Sequence, residues 1–207
     1  MTGVQTCALP IFFEHLVLPK LLPLLQTQAP GLILHSRSAE GRLPKEQLEQ
    51  GQFDVAIAGF FGDLPDGFYK RKLYEDHFVC IVREGHPRIG KSLTLDQYLA
   101  ERHVLISPQG DLRGVIDVQL EKKKKKRQVI AGISNFLTPG GVIAASDCVL
   151  TVPSRLAEVY RQRLPIKVME LPLTAPPVVM LIAWHERTHR DPLHQWFRDK
   201  IVQCIES

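Results

Sequence analysis

The sequence lacks several features that would place it in a specialised class. Its four cysteines (Cys7, Cys80, Cys148 and Cys204) lie far apart, which matches no zinc-ligand spacing and favours a reduced, cytoplasmic chain. No apolar run approaches the length of a membrane span, so we expect no membrane partner. The G-x-S-x-G, Walker and C-x-x-C patterns are also missing, which removes the common catalytic signatures.

The net positive charge of the chain comes from a single run of lysines. The net charge is +4, and Lys122 to Lys126 supply five positive charges, so the remainder of the chain carries −1. The run could be a nucleic-acid or membrane patch. Lysines at a helix end are more often solvated surface, where they suit the negative pole of the helix. The charge balance therefore indicates no nucleic-acid-binding face.

Apolar periodicity predicts strands alternating with helices along the 207 residues. Two successive sets of β-α units indicate parallel-type α/β sheets in two lobes. A leucine-rich helix is expected over 12–28, and Pro19 and Pro23 predict that it starts late or is kinked. A further helix is expected over Leu95–Ala100.

The stretch from Ser134 to Ala157 predicts a loop, a helix, a strand and a second helix. Thr138 is expected to cap the first helix through its side chain, with Pro139 at the first helical position. Ser154 can cap the second helix. The loop before Thr138 points into a helix N-terminus, which is a natural place to hold a small anion.

This stretch closely resembles the effector-binding domain of LysR-type transcriptional regulators. The resemblance extends to FVCIVREGHP at 78–87, LTLDQYLAERHVLISPQG at 93–110 and WHERTHRDPLHQWFR at 184–198, and it covers residues 12 to 207. The branch that it resembles most includes nodulation regulators and regulators of aromatic-compound degradation.

The resemblance implies a type II periplasmic-binding-protein-like α/β fold, with two lobes joined by two crossover strands. Lobe I is expected over 12–80 plus 181–207, and lobe II over 81–180. It further implies an effector-binding and oligomerising domain that forms a homodimer or homotetramer, is not an enzyme and uses no cofactor or metal. Promoter DNA would be bound only through a helix-turn-helix domain that these residues do not include.

By the same resemblance, a small aromatic acid or phenolic effector is expected in the cleft between the lobes. For Ser107 and Asn135, local hydrogen bonding is an equal alternative to effector contact. For Phe60 and Phe136, plain packing is the alternative to lining the cleft. The predicted effector contacts are Ser107, Pro108, Gln109, Asn135, Phe136 and Thr138 in lobe II, and Gly59 and Phe60 in lobe I.

The first eleven residues, MTGVQTCALPI, look foreign to this pattern because they resemble a translated sequencing adapter. A natural short leader is the alternative. We therefore predict that residues 1–11 form no domain, that the first strand of lobe I is missing or replaced, and that the chain is a fragment of a longer regulator.

Two other functional classes compete. A solute receptor of the same fold would require an export signal, and residues 1–11 lack the basic start of one. A zinc hydrolase is suggested by His185, Glu186 and His189, which satisfy H-E-x-x-H. An apolar strand runs straight into this motif, and Asp191 and Pro192 start a helix after it. The motif is therefore predicted to be a strand end and loop, without the helix that zinc binding requires.

Overall fold

The structure is a computed structural model that describes residues 2–9, 11–37, 43–59, 63–108 and 110–206. The chain divides into two compact units, one of residues 1–75 and 179–207 and one of residues 76–178, called lobe I and lobe II below. Over the described ranges, no helix has both the length and the apolar character needed to cross a membrane.

The strands, in chain order, are β1 (Thr2–Ala8), β2 (Gly31–Arg37), β3 (Val55–Gly59), β4 (Phe68–Asp76), β5 (Phe78–Arg83), β6 (Arg102–Ile106), β7 (Gln128–Ile133), β8 (Val149–Pro153), β9 (Ile166–Glu170) and β10 (Val178–His185). The α-helices are α1 (Ile11–Gln28), α2 (Lys45–Glu49), α3 (Leu95–Ala100), α4 (Val115–Lys122), α5 (Pro139–Ala144), α6 (Ser154–Arg161) and α7 (Pro192–Glu206).

Each lobe contains one five-stranded sheet among the described residues. The strand order is β2-β1-β3-β10-β4 in lobe I and β7-β6-β8-β5-β9 in lobe II. In lobe I, β1 runs parallel to β2 and β3, and β10 is antiparallel to β3. In lobe II, β6 runs parallel to β7 and β8, while β5 is antiparallel to β8 and β9. The predicted α/β class is confirmed.

The helix α1 contains both Pro19 and Pro23 and begins at Ile11, so of the two predicted effects of the prolines, a late start or a kink, the late start does not occur. A proline costs a helix interior about 3 kcal/mol, whereas burying one large apolar side chain contributes about 1.5–3 kcal/mol. One face of α1 is buried almost completely in the lobe I core, which offsets the cost of the prolines. This face comprises Phe13, Val17, Leu21 and Leu25.

The strand β1 lies inside the lobe I sheet and is formed by the segment that looked foreign. Alternate side chains of this segment enter the core, where Gln5, Cys7 and Leu9 are 2%, 0% and 2% exposed. The Thr6 N–H donates to Asp54 Oδ2 at 2.8 Å, which ties β1 to the start of β3. The first-strand position is therefore occupied, although residues 1–11 had been excluded from the fold. The origin of these residues stays a prediction.

The helix α6 is capped by a residue far away in the sequence. Ser154 is its first residue and makes no cap of its own, so that prediction was wrong. Asp76, at the end of β4, accepts hydrogen bonds from Ser154 Oγ at 2.5 Å and from the Arg155 N–H at 3.1 Å. A carboxylate at a helix N-terminus satisfies free N–H groups and suits the helix dipole.

Candidate functional site

The two predicted effector loops of lobe II leave the same edge of one sheet. Strands β6 and β7 are adjacent and parallel, with Ile106 beside Ile133 in the register. The Ser107 N–H donates to the Ile133 carbonyl oxygen at 2.8 Å, directly where both strands end. Ligands of open α/β sheets bind outside the carboxyl ends of strands. Residues 107–113 and 134–138 thus form a candidate site at this edge.

The first loop follows β6, and the structure describes its residues 107–108 and 110–113. Ser107 is 7% exposed, and its carbonyl oxygen accepts the Gly110 N–H at 3.1 Å. Pro108 is exposed, and the predicted contact Gln109 lies outside the described residues. Leu112 folds back over Gly132 of β7 so closely that a Cβ on Gly132 would lie 2.8 Å from Leu112 Cδ2. The absence of a side chain at Gly132 is what allows this approach.

The second loop, residues 134–138, is fixed by Asn135. Its Oδ1 accepts the N–H groups of Leu137 at 3.0 Å and Thr138 at 2.9 Å. Thr138 makes no side-chain cap, so the predicted cap of α5 was wrong. Asn135 instead fixes the turn before α5, because the two N–H groups that its oxygen accepts precede the first helical residue, Pro139. Its side-chain NH₂ group remains the part that can donate to a ligand.

Phe136 is held from behind by Tyr160 of α6. The Tyr160 hydroxyl donates to the Phe136 carbonyl oxygen, and burial raises the pKa of Tyr160 well above its ordinary value. The Tyr160 ring lies against Gly140, where a Cβ would meet Tyr160 Cδ1 at 2.6 Å. Leu137, the next residue, is 79% exposed. The loop thus combines a fixed backbone with an apolar surface.

The N-terminus of α4 already holds a carboxylate. Asp117 Oδ2 accepts the Gly114 N–H at 2.7 Å. Burial raises the pKa of Asp117, but the hydrogen bonds from Arg127 and from the Gly114 N–H outweigh it and leave the pKa below its ordinary value. The carboxylate is therefore charged at neutral pH. The Gly114 N–H at the start of this helix is therefore bound within the domain and is not offered to a ligand.

The H-E-x-x-H motif of lobe I is split between a strand end and a short 3₁₀ helix. His185 ends β10, and Glu186–Thr188 form the 3₁₀ turn. The His185 ring packs edge-on against Phe68 at 5.1 Å, whereas His189 Nδ1 accepts the Trp184 Nε1–H at 3.2 Å. The two imidazoles thus have separate partners. In the part of the chain described, no three or more His, Cys, Asp or Glu residues group as metal ligands would.

Comparison with protein-family models identifies the family of this chain. Residues 6–203 match the model described as the LysR substrate binding domain. The chain belongs to the LysR substrate-binding domain family. The predicted resemblance is confirmed, and the matched region contains both lobes and both loops of the candidate site.

Individual relatives agree with this assignment. SyrM 1, an HTH-type transcriptional regulator of Sinorhizobium fredii, is 37% identical over 201 residues, which cover 97% of this chain and 58% of SyrM 1. The HTH-type transcriptional activator NahR of Pseudomonas putida is 26% identical, covering 93% of this chain and 64% of NahR. The LysR domain described here thus spans about three fifths of these relatives.

A solved structure shows the same fold. The regulatory domain of MexT, a transcriptional activator in Pseudomonas aeruginosa, is 28% identical and superimposes with a TM-score of 0.86. The match covers 99% of this chain and 98% of the MexT chain. The LysR domain therefore corresponds to the regulatory part of such activators.

Sequence reasoning missed Arg127, a deeply buried charged residue of lobe II in this LysR domain. Arg127 follows directly after the five lysines, yet it is 3% exposed. Its guanidinium donates to both carboxylate oxygens of Asp117 at 2.8 Å and to the Tyr98 hydroxyl at 2.9 Å. Only a break in composition, arginine after lysines, could have marked it, because the fork of arginine suits a bidentate carboxylate.

A cavity of about 730 Å³ opens on the α4 side of the first loop. Its charged lining residues are largely committed to each other: Arg127 pairs with Asp117, and Arg113 pairs with Glu121 at 2.7 Å. It lies beside the candidate site and shares residues 111–113 with it.

The lobe I residue Gly59 ends β3 and pairs with Met180, while Phe60 lies outside the described residues.

Proposed function

We propose that this LysR domain is the effector-sensing module of a bacterial transcriptional regulator. The effector is a small aromatic or carboxylate compound that binds at the carboxyl edge of the lobe II sheet. The observation that carries the proposal is the bond from the Ser107 N–H to the Ile133 carbonyl, which brings both loops together. The proposed contacts are Ser107, Pro108, Gln109, Asn135, Phe136 and Thr138, with Gly59 and Phe60 added from lobe I.

Recognition uses side-chain donors more than helix N-termini. The Asn135 oxygen and the Gly114 N–H at the start of α4 already have partners, so a carboxylate is bound by the Asn135 NH₂ group and the Ser107 hydroxyl. The Phe136 ring supplies an apolar face for an aromatic effector. Regulation then requires only that the effector bind one conformation of the protein more tightly than another.

The proposal also assigns the remaining roles. The module senses a ligand and catalyses no reaction, since the motif closest to an enzyme signature has its histidines committed to separate partners. It associates with further copies of itself, and promoter DNA is bound by a domain outside these residues. The statement on DNA follows the HTH-type regulators that the chain matches, and self-association is carried over from the family resemblance.

Calorimetric titration with a panel of aromatic carboxylates and phenols tests the proposal. For any compound that binds, Ser107→Ala weakens affinity by about 1–2 kcal/mol, the cost of a lost buried hydrogen bond. Asn135→Asp keeps the loop oxygen but replaces the donating NH₂ with negative charge, so carboxylates bind far more weakly.

Gln162→Glu is the matched control, because it makes the same amide-to-carboxylate change at an exposed position just after α6. It leaves affinity unchanged. Equal affinity of Asn135→Asp, Ser107→Ala and the unmodified protein for a bound compound places the effector elsewhere and overturns the proposal.

A further inference from the structure

A chain of buried hydrogen bonds links the first effector loop to the centre of lobe II. It starts at the Gly114 N–H, which closes the loop, and passes through Asp117 to the Arg127 guanidinium. From Arg127 it continues to the Tyr98 hydroxyl and then to Thr151 Oγ1, with steps of 2.9 Å each. The chain therefore connects α4, β7, α3 and β8.

The buried ion pair of Arg127 and Asp117, at the middle of this chain, is a weak source of stability. The side chains of Arg127 and Asp117 are 1% and 14% exposed. Removing two such charges from water costs about as much as their attraction returns, and apolar replacements of buried pairs are often neutral. Such a pair contributes mainly by fixing which groups meet, and here one of those groups is the end of the effector loop.

We infer that Arg127 and Asp117 are positioning residues for effector binding, because they hold Gly114, and with it the described loop residues Ser107 and Gly110, in a single conformation against the sheet. The inference rests on the proposed function, since it names what positions the loop of that site. Neither residue touches the effector. A preorganised loop binds more tightly because less conformational entropy is lost on binding.

The same helix offers an internal control. Glu121 lies one turn after Asp117 and makes the same fork with Arg113, at 3.0 and 2.7 Å, but with side chains 54% and 62% exposed. Arg113 also belongs to the loop region. If any bidentate pair near the loop were enough to position it, removing this one would have the same effect.

The decisive variant is the double substitution Arg127→Met with Asp117→Leu, compared with Arg113→Met with Glu121→Leu. Both replace a pair by apolar side chains of similar size, so neither leaves a lone buried charge. Amide hydrogen exchange of the full chain without ligand is followed at Ser107 and Gly110, whose N–H groups bond to Ile133 and to Ser107. Amides in the β5–β9 ladder report global opening.

In the buried double variant, the Ser107 and Gly110 amides exchange faster by about tenfold or more, while the β5–β9 amides are unchanged. The exposed double variant leaves all of them unchanged. Arg127→Lys keeps the charge but not the fork, and accelerates Ser107 and Gly110 by an intermediate factor. It also provides the measurement if the double variant fails to fold.

Unchanged exchange at Ser107 and Gly110 in the buried double variant and in Arg127→Lys overturns the inference. So does an equal acceleration at β5–β9, which would show that the pair only stabilises the lobe. Because exchange is measured without ligand, an effector panel that yields no binder counts against the proposed function and not against this result. Any effector found binds the buried double variant more weakly than the unmodified protein.

Discussion

The two lobes share a sheet design but treat buried polar groups differently. In each sheet, the second strand in the order is parallel to both of its neighbours. In lobe I, β1 lies between β2 and β3, and in lobe II, β6 lies between β7 and β8. Lobe II buries a charged group, Arg127, with partners on its donors. Lobe I buries Gln5 at 2% exposure, and its Oε1 has no hydrogen-bond partner among the described residues.

The difference shows that apolar burial is enough to form the sheets. Whether each buried polar group also finds a hydrogen-bond partner is decided separately. Burying an unsatisfied amide oxygen costs about 1–3 kcal/mol, and a sheet tolerates this when its other side chains pack well. The β1 segment packs with Cys7 and Leu9 in the core, yet its glutamine has no matching donor. The contrast is between Arg127 and Gln5 and not between whole interiors, since the buried Nδ1 of His103 in lobe II also has no partner among the described residues.

The largest expected effect comes from breaking the match in lobe II. Arg127→Met leaves Asp117 as an unpaired, largely buried carboxylate, which lowers the free energy of unfolding by about 3–5 kcal/mol. Arg113→Met removes a fork of the same kind at the surface and leaves stability within experimental error. Urea unfolding followed by NMR signals of lobe II measures both. Equal losses in the two variants would contradict the contrast.

The next effect concerns His103, a histidine of β6 that is 0% exposed. Its Nε2–H donates to the Tyr98 carbonyl at 2.7 Å, and Nδ1 has no partner in the described chain. Burial lowers the pKa of His103 from 6.5 to about 4. The unfolded chain therefore takes up a proton first as the pH falls.

Lobe II should accordingly be most stable above pH 6.5 and lose about 3 kcal/mol of unfolding free energy as the pH falls from 6.5 to 4. Urea unfolding at a series of pH values measures this loss. His103→Gln keeps a donor for the Tyr98 carbonyl but cannot be protonated, so its stability declines less. Parallel pH profiles for the two proteins would show that His103 is not responsible.

The smallest expected change in the free energy of unfolding concerns Gln5 of lobe I. Gln5→Met removes the unpaired Oε1 and keeps the length of the side chain, so it raises the free energy of unfolding by about 1 kcal/mol. Gln52→Met, at an exposed position, is the control and changes little. Thermal unfolding of both variants checks this. A less stable Gln5→Met would mean that the amide has a partner such as a buried water.

Much of the fold was predictable because its signals are local. The helix over Leu95–Ala100 was predicted to the residue, since Thr94 and Gln97 form a capping box that four consecutive positions determine. Asp191 and Pro192 marked the start of α7 for the same reason, and Asp191 Oδ1 accepts the His194 N–H at 3.0 Å. The α1 prolines misled because the burial that offsets them depends on the whole lobe.

The candidate site was predicted in outline and missed in detail. Parallel β6 and β7 required only the strand pattern, so the two loops could be placed side by side. The detail depended on partners that no local rule supplies, such as Asp117 with Arg127 or Asp76 with Ser154, 78 residues away. Thr138 has the residue type of a good cap and stands directly before Pro139, yet it makes no side-chain cap, and residue type alone does not show whether a cap forms.

The division of the chain has a consequence for its synthesis. Lobe II is one continuous stretch, residues 76–178, whereas the lobe I sheet has β10 between β3 and β4 and packs against α7, which is made last. A ribosome that extends the chain from its N-terminus therefore releases a complete lobe II while lobe I still waits for its closing strand. During that interval β3 and β4 have an unfilled place between them, and a chaperone that shields strand edges would act there.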